Sequence, residues 1–413
     1  MTHPTRRGFL AGAGGALAAA VLPSPLVALG RGSSTPSARR FDTVVRGGTV
    51  IDPSQGISGV RDVAISGGRI ARMAESIPDA EGGQIVDARG KLVTPGLIDA
   101  HVHVYEGVAS VGIEADLVGI TRGVTALIDG GSAGATTFPG FRAYVAGPAR
   151  TRVYALLNIA RPGMTVGNET ADLALLDPEA AAATIASNRD VIVGLKVRML
   201  AGIPEGQDLE VMRRTRAAAD LSGVPIMVHI GGQTSPLPRI LDLLRPGDVV
   251  THALRRQGSI LDAQGRVHLE VREAVANGVF LDVGHGRGNL DFDVAERVLE
   301  QGVLPHLISS DVHRGNAAGP VFDLPTTLSK FLQMGMSLEQ VVACATSTPA
   351  GIFDLGDELG TLREGAAADL ALFELGEGDY EFEDSGGKKR SGSRRLVPWA
   401  AFRDGRAFGS ITI

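Results

Sequence analysis

From Phe41 to about Thr94, short runs of alternating apolar and polar residues are broken by glycine pairs: Thr43-Val-Val-Arg precedes Gly47-Gly48, and Val60 to Ser66 precedes Gly67-Gly68. Arg69 to Met73 and Gln84 to Asp87 continue the pattern. Successive strand side chains face opposite ways, so this texture predicts hairpins in a small antiparallel β-module. After Pro95 the texture changes. Apolar runs now alternate with Ala/Leu/Glu-rich helical segments, the pattern of βα units around a parallel sheet. Eight strands are expected: Gly96 to His103, Val124 to Asp129, Val153 to Ile159, Ile192 to Val197, Ile226 to His229, Val249 to His252, Val279 to Val283 and Leu307 to Asp311. Helices are expected between them, over Asp177 to Asn188, Asp208 to Leu221, Leu237 to Leu244, His268 to Ala276 and Asp293 to Glu300.

Eight such units in about 250 residues is the size of a (β/α)₈ TIM-like barrel. A doubly wound open sheet is the alternative, but no Gly-x-Gly-x-x-Gly opens a helix after a strand. Helical Leu324 to Gly335 and Ser337 to Ala345 close this part, and strands return in Ala368 to Phe373 and Trp399 to Phe408, with a turn at Asp404-Gly405. The N-terminal module is too small to bury both its faces alone. The organisation expected is therefore a small β-sandwich domain built from both chain ends, 41–94 plus 356–413, around a barrel of 95–355. The acidic cluster 377–384 and the basic run Lys388 to Arg395 are expected to form a solvated hairpin and no binding patch.

Composition narrows the classes. The chain has 413 residues, 44% hydrophobic and 21% charged, enough for a sizeable core, and its net charge of -6 leaves no basic footprint for a nucleic-acid partner. The single Cys344 lies in an apolar helical run, which suits a buried structural thiol better than a nucleophile. The first 33 residues resemble a twin-arginine signal peptide: Arg6-Arg7 precedes a Gly/Ala/Leu run to about Val27, and Gly32 to Ala38 forms the joint. That run is glycine-rich and short for a stable membrane span, and no cysteine follows it to carry a lipid. The expectation is export in the folded state, to a periplasmic or secreted location.

The chemistry collects at strand ends. In a strand from Leu97 to His103, His101 and His103 point the same way and can grip one cation. Lys196 ends the fourth expected strand, His229 the fifth, His252 the sixth and Asp311 the eighth, while His285 follows the seventh. Barrels place active sites at those ends. A lone His229 or His252 is equally a core histidine, and Asp311 a loop cap. Lys196 is harder to set aside, because it puts an ammonium inside the apolar run Val191-Ile-Val-Gly-Leu-Lys-Val, where lysine is rarely buried unpaired.

Together these residues resemble the amidohydrolase superfamily of metal-dependent hydrolases, in its deacetylase and dihydroorotase-like branch. The likeness is carried by Val93-Thr-Pro-Gly-Leu-Ile-Asp-Ala-His-Val-His, Gly194-Leu-Lys-Val-Arg, Met227-Val-His, Gly247-Asp-Val-Val-Thr-His, Leu281-Asp-Val-Gly-His-Gly and Ser309-Ser-Asp-Val-His. It runs from about Phe41 to the C-terminus. The resemblance implies a binuclear centre of two divalent metal ions, zinc by its ligand set, with His101, His103 and Asp311 on one ion and His229 and His252 on the other. It implies a carboxylated Lys196 that bridges both. Two metals together would lower the pKa of a bridging water from about 15.7 towards 7, giving hydroxide for attack. Asp311 would pass its proton to the leaving group.

His285 is expected to stabilise the oxyanion or bind substrate, and Tyr105, Arg198 and His313 stand two residues beyond ligand positions, within reach of it. The expected reaction is hydrolysis of an amide or carboxylic ester in a small, anionic acylated molecule, an N-acyl amino acid or an acylated hydroxy acid. The alternatives are a cyclic amidase of dihydroorotase or hydantoinase type, an adenine-type deaminase, and a periplasmic binding protein that has lost catalysis. Whether the chain is a homo-oligomer stays open.

Overall fold

The computed structural model describes residues 40–409, so the expected signal peptide lies outside the described residues. Strand β1 (Phe41–Asp52) carries β2 (Ile57–Ser66) antiparallel on one edge, with β3 (Arg69–Ala74) antiparallel beyond it. On its other edge β4 (Gly82–Asp87) and β5 (Leu92–Pro95) both run parallel to it. The module expected to be antiparallel is thus mixed. The reason is the length of β1, whose Phe41–Arg46 half pairs with β4 while Thr49 and Val50 pair with β5.

The next seven strands form one parallel sheet in chain order: β6 (Leu97–Val102), β7 (Val124–Asp129), β8 (Arg152–Asn158), β9 (Ile192–Arg198), β10 (Ile226–His229), β11 (Val249–Thr251) and β12 (Phe280–Asp282). Their side chains are almost all buried, as expected when helices cover one face of a parallel sheet and the curled sheet itself covers the other. The eighth expected strand is not a regular one. Residues 307–312 close the ring through isolated parallel bridges, Leu307 to Asp282 on one side and Val312 to Val102 on the other. Regular pairing fails there because Ser309 and Ser310 turn their hydroxyls onto Asp282 and Asp99, and Asp311 takes a left-handed φ of 47°. The barrel is TIM-like all the same.

The helices start where capping chemistry puts them. Asp177, Asp291 and Asp323 each accept a backbone N–H in the first turn of the helices Pro178–Ala186, Phe292–Glu300 and Leu324–Gln333, and Ser337 with Gln340 makes a capping box before Leu338–Ala343. Cys344 is buried as expected, its thiol on the Pro305 carbonyl and pushed up to about 12 by burial.

The two chain ends then meet. Strands β13 (Leu370–Glu383), β14 (Lys389–Arg403) and β15 (Arg406–Gly409) extend the first sheet, because β13 pairs antiparallel with β5 from Leu370 opposite Pro95. Val45, Val63 and Ile70 from one end share a core with Leu370, Leu372 and Phe402 from the other. The β13–β14 hairpin forms as expected and Glu377, Asp379, Glu381 and Arg394 are exposed, but it is not a free excursion. Its tip docks on the loop after β12: Asp384 is buried and accepts from the backbone N–H of Phe292, Gly386 and Lys388, and the Ser385 hydroxyl accepts from Leu290. No helix among the described residues is long and apolar enough to cross a membrane.

Candidate active site

Strand alternation sets His101 and His103 on one side of the first barrel strand, with ring centroids 5.4 Å apart. Each ring is held from behind. His101 Nδ1 lies 3.1 Å from the Thr251 hydroxyl, which itself donates to Asp282, so Nδ1 is the donor and Nε2 keeps its lone pair. His103 Nδ1 lies 3.0 Å from Ser132 Oγ, and His252 Nδ1 donates to the Gly284 carbonyl at 2.8 Å. Fixing the tautomer through the far nitrogen is the usual support of a metal-ligating imidazole. Gly130 and Gly131 make room in front: a Cβ on Gly130 would overlap the His101 ring, and one on Gly131 (φ +91°) would overlap the Lys196 side chain.

Asp311 comes from the segment that closes the ring, its N–H on the His101 carbonyl at 2.7 Å. Its Oδ1 lies 3.3 Å from His103 Nε2 and 3.7 Å from His101 Nε2, and that oxygen is buried with no hydrogen-bond partner. Three acceptor atoms therefore converge, all within 4.8 Å of one another. Burial alone would raise the Asp311 carboxyl, but His103, His252 and His313 outweigh it and hold it below the ordinary carboxylate range. Burial and the neighbouring Lys196 push His101 well below the ordinary imidazole value. Imidazole nitrogens facing a carboxylate oxygen are the donor set of a divalent cation.

Lys196 completes this side. It is fully buried, its Nζ is 2.9 Å from His101 Nε2 and 3.4 Å from Met227 Sδ, and no carboxylate comes within ion-pair distance among the described residues. Burial lowers its pKa despite the Asp311 and Asp282 charges. His229 and His252 stand edge to face at 4.2 Å, and the His252 ring is 5.1 Å from that of His101. Burial lowers His252 to about 3 and His229 well below its ordinary value. His252 (φ 67°) and Asp311 both hold left-handed backbone, a strain that non-glycine residues keep where the surroundings impose it.

The structure does not gather the expected substrate-binding residues so closely. Arg198 turns its Nε and Nη2 onto the buried Glu169, each at 2.6 Å, and is neutralised there. The Tyr105 hydroxyl donates to the Thr137 carbonyl and its ring packs edge-on against Phe141, beside a separate cleft of about 330 Å³. The His313 ring is 6.5 Å from His103, and its Nδ1 accepts from the Gly315 N–H. His285 is buried with both ring nitrogens engaged, Nδ1 on the Gly286 carbonyl at 2.9 Å and Nε2 on Lys330 Nζ at 2.6 Å.

Sequence reasoning missed Lys330 and Glu169. Lys330 also donates to the Pro320 and Glu383 carbonyls, tying His285 to the hairpin tip. An apolar helix with one lysine carried a faint signal; Glu169, in a polar loop, carried none. A surface cleft of about 860 Å³ beside Phe138, Arg142 and Asp190 contains none of the converging residues and lacks their chemistry.

Residues 92–391 match the model of the Amidohydrolase family. A deacetylase of Agrobacterium fabrum is 37% identical over 332 residues, covering 79% of this chain and 81% of its own length. Among solved structures, one titled an adenine deaminase superposes with a TM-score of 0.83 at 30% identity, covering 90% of this chain and 100% of that one. One titled a dihydroorotase gives 0.82 at 33% identity, covering 90% and 98%.

Proposed function

The chain belongs to the amidohydrolase family, and from that premise we propose that this metal-dependent hydrolase of C–N bonds is a deacylase of small anionic molecules, N-acyl amino acids or acylated hydroxy acids. The observation that carries the reading is the convergence of His101 Nε2, His103 Nε2 and the unpartnered Asp311 Oδ1 beside a buried Lys196 without a carboxylate. In our reading His101, His103 and Asp311 hold one divalent ion, His229 and His252 a second, with zinc suited to the donors. Bound there, such ions supply a water of lowered pKa and polarise the scissile carbonyl.

The chain's own residues do the rest. A buried amine whose pKa is lowered spends more time uncharged, and the uncharged Lys196 nitrogen can bond to the carbon of CO₂ with loss of a proton. The resulting carbamate is an anion with two oxygen donors, and it removes the problem of a buried cation. The Asp311 carboxylate, beside the ion it helps to hold, is the base placed to take the proton of the attacking water and hand it to the leaving nitrogen or oxygen. Arg6-Arg7 and the apolar run behind it support export by the twin-arginine route.

Cyclic amide opening and adenine deamination are the second reading, favoured by the likeness to the adenine deaminase and dihydroorotase structures at 30% and 33% identity. Enzyme loaded with zinc and bicarbonate should turn over N-acetyl amino acids or acetylated 2-hydroxy acids, with hydantoin, dihydroorotate and adenine as comparisons. Turnover restricted to the rings would reverse the ranking. Elemental analysis should find two ions per chain, and fewer in Lys196→Met; equal content in the variant would remove Lys196 from the centre.

A further inference from the structure

Arg255 stands three residues beyond His252, in the loop after β11. It has no carboxylate partner among the described residues. Its Nη1 donates to the Ile230 carbonyl, and its Nε is buried with no partner at all. Burial pulls the guanidinium below its ordinary value, and its charge is among the influences that depress His229 and His252 after burial itself. Arg255 is half-buried, and a partly desolvated guanidinium without a carboxylate is unfavourable unless something compensates it.

The neighbouring strand is cut to fit this side chain. Gly231 follows His229 and Ile230 at the end of β10, and a Cβ there would lie 2.1 Å from Arg255 Nη1 and 2.5 Å from Nε. Its φ of +105° is one that other residues rarely adopt. The guanidinium thus lies across the ends of the two strands that carry His229 and His252. With Nη1 used by Ile230, the Nε–Nη2 edge is left, the side of the fork that matches both oxygens of a carboxylate. Arg198 offers no such edge, since Glu169 covers its own, and Arg287 and Arg314 are exposed and solvated.

We propose that Arg255 binds the carboxylate of the substrate, which makes the preferred substrates 2-acylamino or 2-acyloxy carboxylates. The assignment rests on the deacylase reading. It makes Arg255 a specificity-determining residue in place of Arg198.

The test compares N-acetylalanine and O-acetyl-lactate with their primary carboxamides on zinc-loaded enzyme. Wild type should favour the acids in kcat/KM by about a hundredfold or more, since a half-buried fork without a carboxylate rejects a ligand that leaves it unsatisfied. Arg255→Met should reduce that ratio to within a few-fold of one, and Arg255→Lys, which keeps charge but loses the fork, should fall between. A ratio unchanged in both variants overturns the assignment. Titration with 2-methoxypropanoate and its amide, which cannot be hydrolysed, is read separately. If nothing in the panel turns over but the acid still binds more tightly through Arg255, the deacylase reading fails and the anion site stands. If the acyl acids turn over with a ratio indifferent to Arg255, the reverse holds.

Discussion

Asp311 is held on two sides: its N–H is spent on closing the ring at His101, and its left-handed backbone aims Oδ1 at two imidazoles. Asn at this position keeps the shape and one oxygen but cannot carry the proton. Asp311→Asn should therefore lower kcat by roughly 10²–10⁴-fold, the usual worth of a general acid-base group, while elemental analysis still finds metal. Unchanged turnover would take Asp311 out of the proton path. Lys330 makes a prediction of another kind. Burial lowers it from 10.5 to about 7, so between those pH values the unfolded chain holds a proton that the folded chain has released. Stability from this residue must then rise with pH across that window, by up to about 1.4 kcal/mol per pH unit, and stay flat below it. Urea unfolding of wild type against Lys330→Met at pH 6 and pH 9 should show the difference moving in favour of wild type at the higher pH.

Among the elements, the β13–β14 hairpin does the least expected work. Asp384 satisfies three backbone N–H groups at its tip, one of them at the start of the helix Phe292–Glu300. Asp384→Ala strands those donors and should destabilise the protein by about 1–3 kcal/mol in urea unfolding. It should also loosen His285, which Ser385 and Lys330 hold, so KM should rise more than kcat falls. Equal stability in the variant would mean that water replaces the carboxylate. Strands such as Val124–Asp129 and Ile226–His229 were legible in the sequence because buried apolar runs between turns have few other solutions, and histidines at their ends mark one rim. The docking of the hairpin was not legible. Charges at 377–395 look alike whether they meet water or partners far away in the chain, as Lys388 meets Asp291 and Asp293. The irregular segment 307–312 escaped for a related reason: its serines bond to carboxylates on distant strands, and no local pattern records that.

Across the whole molecule, barrel and terminal sheet are joined by an ion pair at the seam, Arg152 to the buried Asp369, and by β5, which leads straight into β6. The single tryptophan, Trp399, lies in β14, whereas helical ellipticity reports the barrel. Unfolding followed by Trp399 fluorescence and by far-ultraviolet circular dichroism should give coincident transitions, and Arg152→Ala should begin to separate them. Transitions already apart in wild type would show two independent units.

The pairing of β5 with β13 also bears on how the protein is made. A ribosome delivers the histidines of the catalytic rim long before it delivers Leu370, so for most of translation β5 presents a bare hydrogen-bonding edge to the cell. A message truncated before codon 370 should therefore yield sticky, inactive chains and no smaller working enzyme, which makes this protein a natural client for chaperones until its last strands emerge.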